Sequence, residues 1–137
     1  MTAGASGWDA INPDELGPPK GWTNGMLAPA GGRILFVAGQ DAATAEGVVE
    51  EDDFVAQFDI ALRKTLAVVR DAGGDASSIG RMTVFVTDLD AYRESRKSIG
   101  EIWRARMDCN YPAMALVEVS RLVDPNGKVE IETTAVI

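Results

Sequence analysis

The eight residues before Ile137 read Val-Glu-Ile-Glu-Thr-Thr-Ala-Val, a period of two that suits a β-strand and not a helix. Alternate residues of a strand point to opposite faces, so Val129, Ile131, Thr133 and Ala135 share one side while Glu130, Glu132, Thr134 and Val136 share the other. The stretch 113–120 alternates in the same way. Ala113, Ala115, Val117 and Val119 fall on one side, and Met114, Leu116, Glu118 and Ser120 on the other. A turn through Asp124-Pro125-Asn126-Gly127 joins it to a last strand over 128–136. Each strand thus has one uniformly apolar or small face and one mixed face carrying acids. The uniform faces are expected to bury against helices. The mixed faces then lack a place, since solvent does not suit Met114, Leu116 and Val136, and a closed core does not suit unpaired Glu118, Glu130 and Glu132. A subunit interface enclosing a polar cavity accommodates both groups.

Two helices are available to cover the sheet. Asp52 or Asp53 can cap one whose inward residues Phe54, Phe58, Ala61, Leu62, Thr65, Leu66 and Val69 recur every three or four positions, and Gly73-Gly74 ends it. Asp88 or Asp90 starts a second, with Tyr92, Ile99, Ile102, Trp103 and Arg106 on one side and Pro112 closing it. Between them, Met-Thr-Val-Phe-Val over 82–86 is short and rich in strand formers. Upstream, 24–29, a Gly31-Gly32 turn and Ile-Leu-Phe-Val-Ala-Gly-Gln over 34–40 predict a hairpin, with Gly39 marking a bend or a close backbone approach. Residues 1–20, broken by Gly4, Gly7, Pro13, Gly17, Pro18 and Pro19, predict an irregular arm. The span 1–137 therefore reads as one α+β domain. With 46% apolar and 25% charged residues, it can bury a core without disulfide or metal staples.

The chain contains no histidine, which excludes Ser-His-Asp and Cys-His catalysis and most zinc or copper sites. Acid–base chemistry must come from carboxylates, Tyr, Lys, backbone groups or water. The single cysteine, Cys109, has no histidine beside it; it reads as a structural or semi-exposed thiol and fits a reducing compartment. A formal charge of −8 repels phosphate backbones, so no nucleic-acid partner is expected. The basic cluster Arg93, Arg96, Lys97, Arg104 and Arg106 is interrupted by Glu94 and Glu101 and reads as a solvated helix face. No apolar run approaches the ~20 residues a membrane helix needs, and the first residues lack the basic and apolar regions of a signal peptide. A cytoplasmic protein with no membrane partner is expected.

Taken in order, Gly-Gly-Arg-Ile-Leu-Phe-Val-Ala-Gly-Gln (31–40), the helix with Gln57 and Ala61-Leu62, Arg-Met-Thr-Val-Phe-Val-Thr-Asp-Leu-Asp-Ala-Tyr (81–92), Tyr-Pro-Ala-Met-Ala-Leu-Val-Glu-Val-Ser-Arg-Leu (111–122) and the closing Val-Glu-Ile-Glu-Thr-Thr-Ala-Val resemble the Rid (YjgF, reactive intermediate deaminase) superfamily. The resemblance covers residues 20–137. It implies a chorismate-mutase-like α+β fold with two helices on one face of the sheet, and a homotrimer whose sheets form a central barrel with small-molecule pockets between subunits. It also implies hydrolysis of reactive enamines and imines, such as 2-aminoacrylate, to a keto acid and ammonia, with neither metal nor organic cofactor.

Carried over position by position, the family's water-positioning glutamate falls on Glu130. Its carboxylate-binding arginine falls on Met114, its pocket serine on Ala38 in Ala38-Gly39-Gln40, its pocket tyrosine on Trp22, and a small polar position on Leu116. Methionine can neither donate a hydrogen bond nor neutralise an anion. The resemblance so modified implies a ligand larger, flatter and less anionic than 2-iminopropionate. Trp22, Met114, Leu116 and either Trp103 or Phe85 would line its pocket, with Glu130 and Gln40 as polar fixtures. Arg33 and Arg121 are the candidates should another cation hold a carboxylate. Two functions follow: a hydrolase in which Glu130 is the general base or water anchor, and a catalytically inactive trimeric binding or regulatory module. The ribonuclease activity sometimes attached to the family suits neither the charge of −8 nor the lack of histidine.

Overall fold

Asp53 adopts an extended conformation and accepts a hydrogen bond from the Ala56 amide, capping the helix α1 (Phe54–Asp71), while Gly73 beyond its other end takes a positive φ of 97°. One stripe of α1 is buried: Phe54, Phe58, Ala61, Leu62, Thr65, Leu66 and Val69, as the spacing predicts. Gln57 lies in the same stripe and is bonded at both ends of its amide. Its nitrogen donates to the carbonyls of Glu51 and Asn126, and its oxygen accepts from the Lys128 amide, tying the helix start to the 124–128 turn.

The computed structural model describes residues 2–3 and 7–137. Strands β1 (Thr2–Ala3), β2 (Asp9–Ile11) and β3 (Gly25–Leu27) form a small antiparallel sheet in that order. The main sheet contains β4 (Ile34–Gln40), β5 (Ile79–Val86), β6 (Ala113–Glu118) and β7 (Val129–Val136) in the order β4-β7-β5-β6. All its pairs are antiparallel except β5 with β6, and a parallel pair needs a crossover. Helices α2 (Leu89–Glu94) and α3 (Arg96–Met107) supply it. Helix α1 packs on β4 and β7, and α3 packs against α1, so both long helices cover one face. No helix among the described residues is long and apolar enough to cross a membrane.

The registers fix which side chains meet the helices. Val37, Thr133, Met82 and Met114 form one row across the sheet, and Ile131, Val84 and Leu116 the next, all on the helix side. Val37, Met82, Val84, Ile131 and Ala135 are buried there. The opposite side carries Phe36, Thr134, Arg81 and Ala113 in one row, then Glu132, Thr83 and Ala115, then Glu130, Phe85 and Val117. This side is open in the single chain, with Phe36 78% and Ile34 65% exposed.

Four expectations need correction. The arm is not irregular throughout, because Asp9–Ile11 pairs with Gly25–Leu27; the segment expected to form a hairpin with 34–40 therefore pairs backwards with the arm. Trp8 anchors that arm: its indole N–H donates to the Ser78 carbonyl, and its ring lies where a Cβ on Gly80 would sit, 2.1 Å away. The second helix breaks at Ser95, with Asp88 capping α2 and a separate α3 following. Ser120 lies beyond the end of β6, and β5 starts at Ile79 rather than at Met82. Most consequentially, Met114 and Leu116 face the helices and Ala115 and Val117 the open side. The uniform face of this strand is thus the outer one. Both faces of β6 are apolar enough to bury, and the larger side chains go where there is volume beneath α3 to fill.

Leu62 is fully buried and Val68, on the outer side of the same helix, is 36% exposed. Leu62→Ala is expected to cost about 2–5 kcal/mol in urea denaturation, against a change within about 0.5 kcal/mol for Val68→Ala. Equal effects would contradict the face assignment.

Candidate functional site

The open side of the sheet holds the first group of site residues. Between Val37 and Gln40 the pairing of β4 with β7 slips, since Val37 faces Thr133 and Gln40 faces Ile131. Ala38 and Gly39 thus form a bulge. The Gln40 side-chain amide donates back to the Ala38 carbonyl. The place of the Glu130 carboxylate depends on Gly39: a Cβ there would lie 2.6 Å from Oε2 of Glu130 and 2.9 Å from its Cδ. The Glu130 carboxylate is therefore laid along bare backbone. Its pKa is raised, chiefly by burial and then by repulsion from Asp41 and Glu132. Asp41 is itself held by Lys64, which lies 3.8 Å from its carboxylate and donates to the carbonyls of Asp41 and Ala43.

The helix side holds the second group, around a cavity of about 600 Å³. Met114 and Leu116 of β6 and Val84 of β5 form its floor, Phe58 of α1 and Tyr92 of α2 contribute walls, and α3 supplies Arg96, Ile99, Gly100, Trp103 and Arg104. Lys20, Gly21 and Trp22 close it from the N-terminal side. The aromatic wall is fixed in advance. Trp103 stacks on Tyr111 with ring centres 6.1 Å apart and planes 14° apart, and its indole N–H donates to the Asn110 carbonyl. Thr23 pins the incoming chain, donating through its hydroxyl to the Tyr111 carbonyl at 2.6 Å and through its amide to the Pro112 carbonyl. Trp22 is thereby held at the mouth, 43% exposed.

The structure places Trp22, Met114 and Leu116 around one cavity, and of the two further candidates, Trp103 and Phe85, it places Trp103 there. It brings Ala38, Gly39 and Glu130 together as a separate group on the open face, while Gln40 pairs with Ile131 of the helix-side row and turns its amide back on the Ala38 carbonyl. It does not bring the two groups together, because they lie on opposite faces of one sheet, and Phe85 sits beside Glu130 rather than in the cavity. Glu130 is consequently not beside Met114 and Leu116, the correction that the inverted faces of β6 impose. Neither Arg33 nor Arg121 lines the cavity; Arg96 and Arg104 do. Both are exposed, as the solvated-helix reading expects; that reading did not show that they also border a cavity, although their spacing of four about Gly100 puts all three on one strip of α3. Cys109 is exposed and free. Among the described residues no cluster of three or more His, Cys, Asp or Glu is arranged to hold a metal ion.

Comparison with known proteins bears on the family and the fold. A family model described as Endoribonuclease L-PSP matches residues 15–137. The Myxococcus xanthus protein DfrA is 34% identical over 131 residues, covering 93% of this chain and 94% of its own. The 2-iminobutanoate/2-iminopropanoate deaminase of Salmonella typhimurium is 30% identical over 105 residues, 77% of this chain and 80% of that one. Among solved structures, the Yersinia pestis Rid-family protein YyfB, of unknown function, superposes with a TM-score of 0.82 at 27% identity, covering 95% of this chain and 98% of its own. The chain belongs to the Rid (YjgF) superfamily, and its fold is the α+β fold of that family.

The contact of Glu130 with Gly39 can be tested directly. Carboxyl-carbon NMR titration should place Glu130 above the ordinary glutamate pKa of about 4.3. In Gly39→Ala the added methyl should turn the flexible carboxylate toward water and bring its titration back toward that value. A wild-type Glu130 titrating at or below the ordinary value would contradict the site as described.

Proposed function

We propose that the protein is a cofactor-independent hydrolase of a small imine, enamine or related reactive carbonyl compound, working as a homotrimer in which Glu130 of one subunit faces the aromatic cavity of the next. The observation that carries this reading is the division of the site between the two faces of the sheet. One sheet cannot fold its two faces together, but a neighbouring subunit can bring one face to the other's edge. The open face has its own need for a partner, since Phe36, Ile34 and the 42% exposed Val117 leave an apolar surface uncovered around the acids. The absence of histidine leaves a carboxylate as the natural base, and an exposed free thiol suits a reducing, cytosolic setting.

In such a site Glu130 takes a proton from water as the oxygen attacks the imine carbon. It passes that proton to the nitrogen, giving a carbinolamine, then takes the hydroxyl proton and hands it to the amine as the C–N bond breaks, so that imine and water become carbonyl compound and ammonia. A carboxylate whose pKa is raised by burial is a better base at neutral pH than an ordinary glutamate. The name of the Salmonella relative, a 2-imino acid deaminase, supports the reaction class. Met114 argues against 2-iminopropionate itself as the favoured substrate, because the strand offers it no cation. The same residue favours the second reading, a trimeric module that binds without turnover.

Imines formed in situ from a panel of amino acids by an amino-acid oxidase provide the assay. Wild-type protein should accelerate ammonia release for at least one large apolar side chain, and Glu130→Gln should lose about 10²-fold or more of that rate while keeping its melting temperature. Protonation of Glu130 removes the base, so the rate should fall on the acid side, at a pH above the ordinary glutamate range. A Gln variant as active as wild type would leave only the binding module.

A further inference from the structure

Taking the cavity as half of the site proposed above, we infer that Arg96 and Arg104 of α3 are the anion anchor for the ligand, and that the ligand is a carboxylate with a flat aromatic body. Both residues border the cavity on the exposed face of α3. Among the described residues neither has an acidic partner, whereas Arg93 pairs with Asp90 and Arg106 with Asp59 in the same helical stretch. The two arginines that remain unpaired are therefore the two that border the cavity. Gly100 lies between them on the same strip, and a Cβ there would sit 3.3 Å from Nη1 of Arg104. The missing side chain lets the Arg104 guanidinium lie along the helix surface at the cavity rim.

On a chain with a formal charge of −8, Arg96 and Arg104, joined on the lining by Lys20, form a local concentration of unpaired cations that attracts an anion. Guanidinium groups present forked donors that match a carboxylate. The stacked Trp103 and Tyr111 offer the cavity a flat aromatic wall, and Met114 and Leu116 an apolar floor, so the anionic end belongs at the helix and the body against the strand. The wide cavity suits a ring-bearing molecule better than a three-carbon acid. The departure at Met114 thus moves the anion contact from strand to helix rather than abolishing it.

Calorimetric titration of the assembled protein with indole-3-acetate and with its neutral match, indole-3-acetamide, tests this. The acid should bind about tenfold or more tightly than the amide. Arg96→Gln combined with Arg104→Gln should reduce the acid to the affinity of the amide and leave amide binding unchanged, which also reports an intact cavity. Equal affinities in wild type, a preference that survives the double substitution, or no saturable binding of either probe would each overturn the anchor. The readout is separate from turnover. In Glu130→Gln the acid preference should persist, and a wild type that shows this preference yet accelerates ammonia release from no imine would sink the hydrolase and not the anchor.

Discussion

Strand β7 is the constraint on which the rest depends. It pairs with β4 on one side and β5 on the other, and α1 lies across it. Val129, Ile131 and Ala135 are fully removed from solvent beneath that helix, at about 25 cal/mol for each Å² of apolar surface covered. Period-two geometry then leaves Glu130 and Glu132 no choice but the other face. The carboxylate of the candidate site is thus positioned by the burial of its neighbours, and a one-residue slip would exchange acids for core.

The crossover from β5 to β6 fixes the second half. Because the pair is parallel, the chain must travel over the sheet, and α2 and α3 do so with Trp103 stacked on Tyr111 just before β6 begins. The cavity remains between this crossover and the edge strand, closed by a segment that Thr23 fastens to Tyr111 and Pro112. Acid and cavity belong to opposite faces of the same four strands, which makes assembly part of the proposed chemistry.

How much of this could be read from the sequence depended on how different the two faces of each element were. In β7 they differ sharply, and the assignment of Glu130 outward and Ile131 inward holds. In β6 Met114 and Leu116 alternate with Ala115 and Val117, so alternation establishes a strand without saying which side is in; the pairing with buried Met82 and Val84 decides that. The three-residue strand Asp9–Ile11 is too short for periodicity to separate from a loop, and its place depends on Trp8 covering Gly80, a contact between positions far apart in the chain. Arg96 and Arg104 are exposed, as a charged helix strip usually is; that they also border a cavity depends on where α3 lies relative to β6, which cannot be read from the sequence.

The account turns on a site shared between subunits, and subunit complementation tests it most directly. Glu130→Gln lacks the acid, and Leu116→Trp fills the cavity floor. Co-expressed with different tags and purified through both, the two variants should assemble into mixed trimers with some sites that combine an intact Glu130 with an intact cavity. Imine hydrolysis should then reappear in the mixed species although neither variant assembled alone shows it. Mixed trimers as inactive as their parents would contradict the shared site.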